Sequence, residues 1–258
     1  MRPAWLAIMA RLACLASLAE GATARAGAWP EPVGGGQMIV KAEADAATVG
    51  LDAAGTSVPI PKQSADRISL YADYGLTPVL SLQLVGSLDA ERQGGLHGKG
   101  LGATALGLRY VLARGDDWVL TAYAGATGPS SGTLARLDPA RRGAGAEARL
   151  LAGRSLRLAG HDLFGEIQVA RLSGVAHGGQ SRLDATLGIG VRPGLMVLNQ
   201  IYAGRQEGGA GTAAWVKSEH SLVQSFGPWR AQVGWRRTLL GRDLPVAAGP
   251  VIGLWRRF

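Results

Sequence analysis

Serine and histidine close together are the residue types from which acyl transfer is built, and this chain places Ser173 and Ser181 within a few positions of His177. A hydrolytic site needs the nucleophile within reach of a base, and a third group to orient that base. No acid completes such a motif around His177. The other histidines stand apart: His97 among glycines, His161 in a turn signal, His220 inside an alternating segment. No pair has His-x-x-x-His spacing, and no acidic calcium loop occurs. The stretch "GKGLGATALG" lacks the Lys-Ser/Thr ending of a phosphate loop and leads into a strand-like segment. The expectation is a non-enzyme without metal or cofactor.

The other residues able to do chemistry are charges. Lys41, Glu43, Arg67, Asp73, Arg109, Glu147, Arg149, Glu166, Arg182, Asp184, Lys217, Glu219, Arg230 and Arg236 fall at alternate positions within segments that are otherwise apolar. Both signs are nearly balanced. A strongly ion-selective pore would carry a ring of one sign. A balanced set can pair across a narrow space, and a charge left desolvated without a partner there would be costly.

The segments that carry these charges have a period of two. In "PVLSLQLVGSLD", Leu80, Leu82, Leu84 and Leu88 share one face, and Ser81, Gln83, Ser87 and Asp89 take the other. "TALGLRYVL", "SRLDATLGIGVR" and "WRAQVGWRR" repeat the pattern. Helical spacing of apolar residues at three to four fails in all of them. Turn signals at "YGLTP", "ARGDD", "VRPGL" and "FGPW" separate them, alternating with longer polar stretches such as "AATVGLDAAGTSVPIPKQ", "ERQGGLHGKG", "GPSSGTLARLDPARRG", "SGVAHGGQ", "RQEGGAG" and "LGRDLPVAAG".

Residues 1–26 read as a cleaved export signal. Arg2 precedes the apolar "LAIMARLACLASLA", and Ala24 and Ala26 stand at the −3 and −1 positions of a small-residue cleavage site, with Ala28 as an alternative. The single cysteine, Cys14, lies inside it, so no disulfide framework is expected in the processed chain. The net charge of +8 falls to +6 without that segment, and the arginines are scattered singly, which argues against nucleic acid as a partner. Beyond the first 26 residues no apolar run reaches the roughly 18–20 residues of a membrane helix.

Export signal, amphipathic strands and alternating connections together imply an all-β fold: a transmembrane antiparallel β-barrel of about twelve strands (ten to fourteen), each of roughly nine to twelve residues. Lipid offers the backbone no hydrogen bonds, so the sheet must close. The expected organisation is a signal peptide over 1–26, a short periplasmic segment over 27–36 and the barrel over 37–258. Leucines, valines and alanines are expected to face lipid, and glycines and the charges above to line the lumen. Tyr74, Tyr110, Trp118, Tyr202, Trp229 and Trp235 are expected in aromatic belts at the strand ends.

Three stretches carry a family resemblance. "WPEPVGGGQMIV" resembles the Trp-x-x-Pro-x-Gly-x-Gly opening of outer-membrane proteins of the MetA pathway of phenol degradation. "YADYGLTPVLSLQL" is similar to that family's first hairpin, and "GPVIGLWRRF" to its ending. Pro78 replaces the family's acidic turn residue. The resemblance implies an outer-membrane channel or transport-associated barrel, with hydrophobic or aromatic compounds as a loose substrate class.

Two functional expectations follow. In one, the lumen is a narrow path for small solutes, gated by "GPSSGTLARLDPARRG". In the other, cross-lumen pairs plug the barrel and its loops make surface contacts. An outer-membrane hydrolase is the weakest reading. Ile252, Leu254 and Phe258 alternate to a terminal aromatic, the form of an insertion signal for the barrel-assembly machinery. The expected surroundings are outer-membrane lipid and lipopolysaccharide.

Overall fold

A computed structural model of the chain describes residues 27–129, 131, 133, 143–173, 179–207 and 212–258. The signal-peptide reading over 1–26 with Ala24 and Ala26, His177, and most of the proposed gating loop lie outside the described residues.

Twelve strands form the wall: β1 (Gly36–Leu51), β2 (Ser57–Thr77), β3 (Leu80–Gln93), β4 (Leu96–Arg114), β5 (Trp118–Gly128), β6 (Gly145–Leu158), β7 (His161–Ser173), β8 (Gln180–Arg192), β9 (Leu195–Gln206), β10 (Ala213–Phe226), β11 (Trp229–Arg242) and β13 (Ala248–Arg257). A two-residue strand, β12 (Leu244–Pro245), adds to the upper edge of β1. Each wall strand pairs antiparallel with its neighbour, except that β11 passes over β12 to β13. β13 then pairs with β1 from Gln37↔Arg257 to Ala46↔Ala248, which closes the cylinder. Closure gives every wall strand a partner on both sides across the apolar belt, as an apolar surrounding demands.

The outer face is apolar: Leu82, Leu84, Leu88, Leu106, Leu108, Leu112, Leu183, Leu187, Val233, Ile252, Leu254 and Phe258 are all exposed. In water such a surface would be an aggregation liability, and in hydrocarbon it is the required one. Ser81, Gln83, Ser87 and Asp89 alternate with these leucines and are buried inside. The all-β, closed, twelve-strand expectation is thus borne out.

Two details differ. The strands run 10–21 residues, longer than a bilayer crossing, because hairpins continue beyond the apolar belt. Most of "AATVGLDAAGTSVPIPKQ" is ladder between β1 and β2. "ERQGGLHGKG" is a two-residue turn, with Gly94 at φ +54° and Gly95 at φ +87°; two positive φ values make the turn whose twist matches antiparallel strands. The alternation of short and long connections is therefore weaker than the sequence suggests.

Five connections of two or three residues, 78–79, 115–117, 159–160, 193–194 and 227–228, lie at one end of the barrel. Gly36 and Phe258 meet at that same end.

Candidate functional site

The inner wall carries the chemistry, and its polar side chains form four charge clusters. On β1, β10 and β11, Lys41 Nζ lies 3.0 Å from both Glu43 Oε1 and Glu219 Oε2. Arg236 donates to Glu43 Oε2 at 2.5 Å and to Glu219 Oε2 at 2.7 Å. Gln232 donates to Glu219 Oε1 at 3.0 Å, and Trp255 Nε1 donates to Gln232 at 3.0 Å. Glu219 is fully buried. Two cations against two carboxylates, with amide donors filling remaining lone pairs, is the arrangement a buried ion pair needs. The Tyr202 ring stands 5.1 Å from the Arg236 guanidinium and 5.9 Å from Lys41 Nζ, at cation–π distance.

Further round the wall, Arg109 Nη2 lies 2.5 Å from Asp73 Oδ2, and Gln83 donates to Tyr71 Oη at 3.0 Å. Glu147 accepts from Arg182 and lies 3.3 Å from Arg149 Nε; Arg149 stacks 3.7 Å over the Tyr123 ring. Asp184 accepts from Gln168 at 3.0 Å. Arg67 grips Asp89 bidentately at 2.9 and 3.0 Å. Lys217 and Arg230 have no ion pair among the described residues; Arg230 faces the Trp255 ring at 6.0 Å. The structure therefore groups the charges read from the sequence mainly with neighbours on the same part of the wall.

The short-turn end is different. There Val111, Val119, Tyr123 and Leu151 form one buried apolar cluster with Ala28, and Phe164, Met196, Leu198 and Val223 form another. Trp29 packs against both. Within the stretch 27–36, read from sequence as a periplasmic segment, residues 27–29 are folded into the barrel. Ala28 is fully buried, its amide donates to Glu166 Oε2 at 2.5 Å, and the Trp29 carbonyl accepts from Arg109 at 2.9 Å. A Cβ on Gly153 would lie 2.5 Å from the Trp29 ring, so the wall is thinned there to admit the indole.

Two sequence expectations need correction. Valine and leucine do not all face lipid: a filled lumen end is itself a hydrophobic core and needs inward apolar residues. Tyr202 is not in an outer belt. It shares the inward face with Gln200, while Ile201 points out. Tyr74, Tyr110, Trp118 and Trp235 are exposed. Trp29, Phe164 and the inward aliphatics were missed, because period two shows that faces differ without showing which apolar residues face inward.

The histidines do not assemble a site. His161 Nδ1 contacts Gly190 O at 2.8 Å in a turn, His97 is exposed, and His220 contacts Asn199 Oδ1 at 2.8 Å on the outer wall. Among the described residues no three His, Cys, Asp or Glu side chains gather as a metal site.

No protein-family model and no curated protein sequence matches the chain. Solved structures do. The COG4313 outer membrane channel from Pseudomonas putida F1 is similar with a TM-score of 0.67 at 16% identity, over 91% of this chain and 99% of that one. The translocator domain of the autotransporter NalP from Neisseria meningitidis gives 0.53 at 12% identity, over 99% and 96%. The NanC porin gives 0.51 at 9% identity, over 84% and 98%. At these identities the likeness is one of fold.

Proposed function

We propose that the chain is a narrow outer-membrane channel for small solutes, with hydrophobic or aromatic compounds as the solute class. The observation that carries this reading is the division of the inner wall. Charged and hydroxyl groups line most of it, and an aromatic constriction around Trp29 closes the short-turn end, which would face the periplasm. Asp73 Oδ1, Gln83 Oε1, Arg109 Nη1, Thr121 Oγ1 and Tyr123 Oη are buried without a protein partner among the described residues. Each such atom costs about 1–3 kcal/mol if dry, which favours water along the wall. Trp29 and Trp255, partly buried and backed by Tyr123 and Phe164, offer flat apolar surface at the narrow end, which suits aromatic solutes. The family resemblance and the likeness to an outer membrane channel support the same reading.

In this proposal the exposed belt meets outer-membrane lipid and lipopolysaccharide, and the Ile252, Leu254, Phe258 face serves recognition by the barrel-assembly machinery. Lys41, Glu43, Arg67, Asp73, Arg109, Glu147, Arg149, Glu166, Arg182, Asp184, Lys217, Glu219, Arg230 and Arg236 act as the polar lining.

A second reading has its own support. Ala28 is fully buried and two apolar clusters fill one end, as in a plugged scaffold. Planar-bilayer recordings on the wild-type barrel and on Trp29→Ala decide between the two. Discrete conductance in the wild type supports the channel; conductance only in Trp29→Ala, or silence in both with folded protein in the bilayer, leaves the plugged scaffold.

A further inference from the structure

Glu166 on β7 is half-buried at the inner wall, and among the described residues it makes no ion pair. Among the described residues its one hydrogen bond is from the Ala28 amide at 2.5 Å. A carboxylate drawn partly out of water and met by a single neutral donor is under-compensated. The neighbouring residue is Gly27: a Cβ built on it would lie 3.8 Å from both Glu166 oxygens and from Tyr71 Oη. The Gly27 nitrogen is bonded to that same Cα. While residue 26 is attached, this nitrogen is a neutral amide.

We propose that Glu166 is the binding site for the chain's own amino terminus, created when the bond between Ala26 and Gly27 is hydrolysed. Water supplies the hydroxyl that completes the Ala26 carboxylate and the proton that converts the released Gly27 nitrogen to an amine. The amine takes a further proton from solvent. An α-amino group titrates near ~8, so at pH 7 it is mostly an ammonium, free to turn about the Gly27 Cα–C bond toward the carboxylate. The charge-assisted contact adds to the Ala28 donor, to Arg109 on the Trp29 carbonyl, and to Trp29 between its two clusters. Processing then latches the N-terminal segment in the lumen. Cleavage after Ala28 would remove both Gly27 and the Ala28 donor, so only the chain cut after Ala26 fits the site. The inference stands on packing and charge, and holds for a channel or a plugged scaffold alike.

The test uses the full chain, expressed with its leader and purified from outer membranes. Mass spectrometry of the N-terminal peptide is expected to show a mature chain starting at Gly27. Acetylation at pH 7 is then compared between the folded barrel and the same protein unfolded in urea. The Gly27 amine is expected to be protected when folded, and Glu166→Gln is expected to raise its labelling about tenfold, the scale of a lost charge-assisted bond. Should Glu166→Gln not fold, the folded-against-unfolded comparison on the wild type carries the test. A mature chain starting elsewhere, or a Gly27 amine equally reactive in folded and unfolded barrel, overturns the proposal. Because labelling does not depend on current, its failure is separable from failure of the channel reading.

Discussion

Gly36 and Phe258 bond reciprocally through their main chains: Gly36 N donates to Phe258 O at 2.8 Å, and Phe258 N donates to Gly36 O at 3.1 Å. The Phe258 ring folds over Gly36 so closely that a Cβ there would lie 2.8 Å from it and 2.7 Å from Asp73 O. The last residue is thus one side of the seam that closes the cylinder, and the first strand begins with the one residue that fits beneath its ring.

Gly36→Val and deletion of Phe258 are both expected to reduce the folded fraction sharply. The check is the mobility shift between unboiled and boiled samples on a gel. A normal folded band for both variants would contradict the seam.

Glu219 compensates both Lys41 and Arg236 with no exposure to solvent. Glu219→Ala is expected to cost about 3–5 kcal/mol, because it strands a buried cation pair against Glu43 alone. Adding Arg236→Gln to that variant is expected to recover part of the loss. Urea unfolding of the barrel in lipid vesicles, read by tryptophan fluorescence, measures both.

Trp29→Ala removes the side chain shared by the two apolar clusters. It is expected to raise single-channel conductance while lowering stability by about 3–5 kcal/mol. Gly153→Val should reproduce the conductance increase with the N-terminal sequence unchanged, since its side chain would displace the indole from the wall.

His220 and Asn199 pair at 2.8 Å on the outer wall, in register with each other and beside Trp235. Replacing both partners of a hydrogen bond by apolar groups is near neutral or stabilising. The double variant His220→Leu/Asn199→Leu is therefore expected to unfold at an equal or higher urea concentration, and His220→Leu alone at a lower one.

Much of the barrel was legible along the chain. Leu82, Leu84 and Leu88 face out and Gln83 and Asp89 face in because successive side chains in a strand alternate, and that alternation is a local property. The charges on alternate positions were legible for the same reason. Tyr202 was not, since an aromatic suits either a membrane interface or a cation-lined wall. Nor were Val111, Phe164 and Leu198, which are as apolar as any lipid-facing residue and differ only in the face they occupy.

Composition and period alone lead to a closed sheet with an apolar exterior and a mixed-charge interior, because only that arrangement satisfies the backbone and both faces of each strand. Partners and heights are another matter. Glu43 and Arg236 are 193 positions apart, and Ala28 and Glu166 are 138 apart. Closure by β13 against β1 brings the first pair together, and folding of the N-terminal segment into the cylinder brings the second. Which end of the lumen is filled, and by which residue, is decided only when the curved wall surrounds Trp29, since its packing comes from strands spread around the circumference.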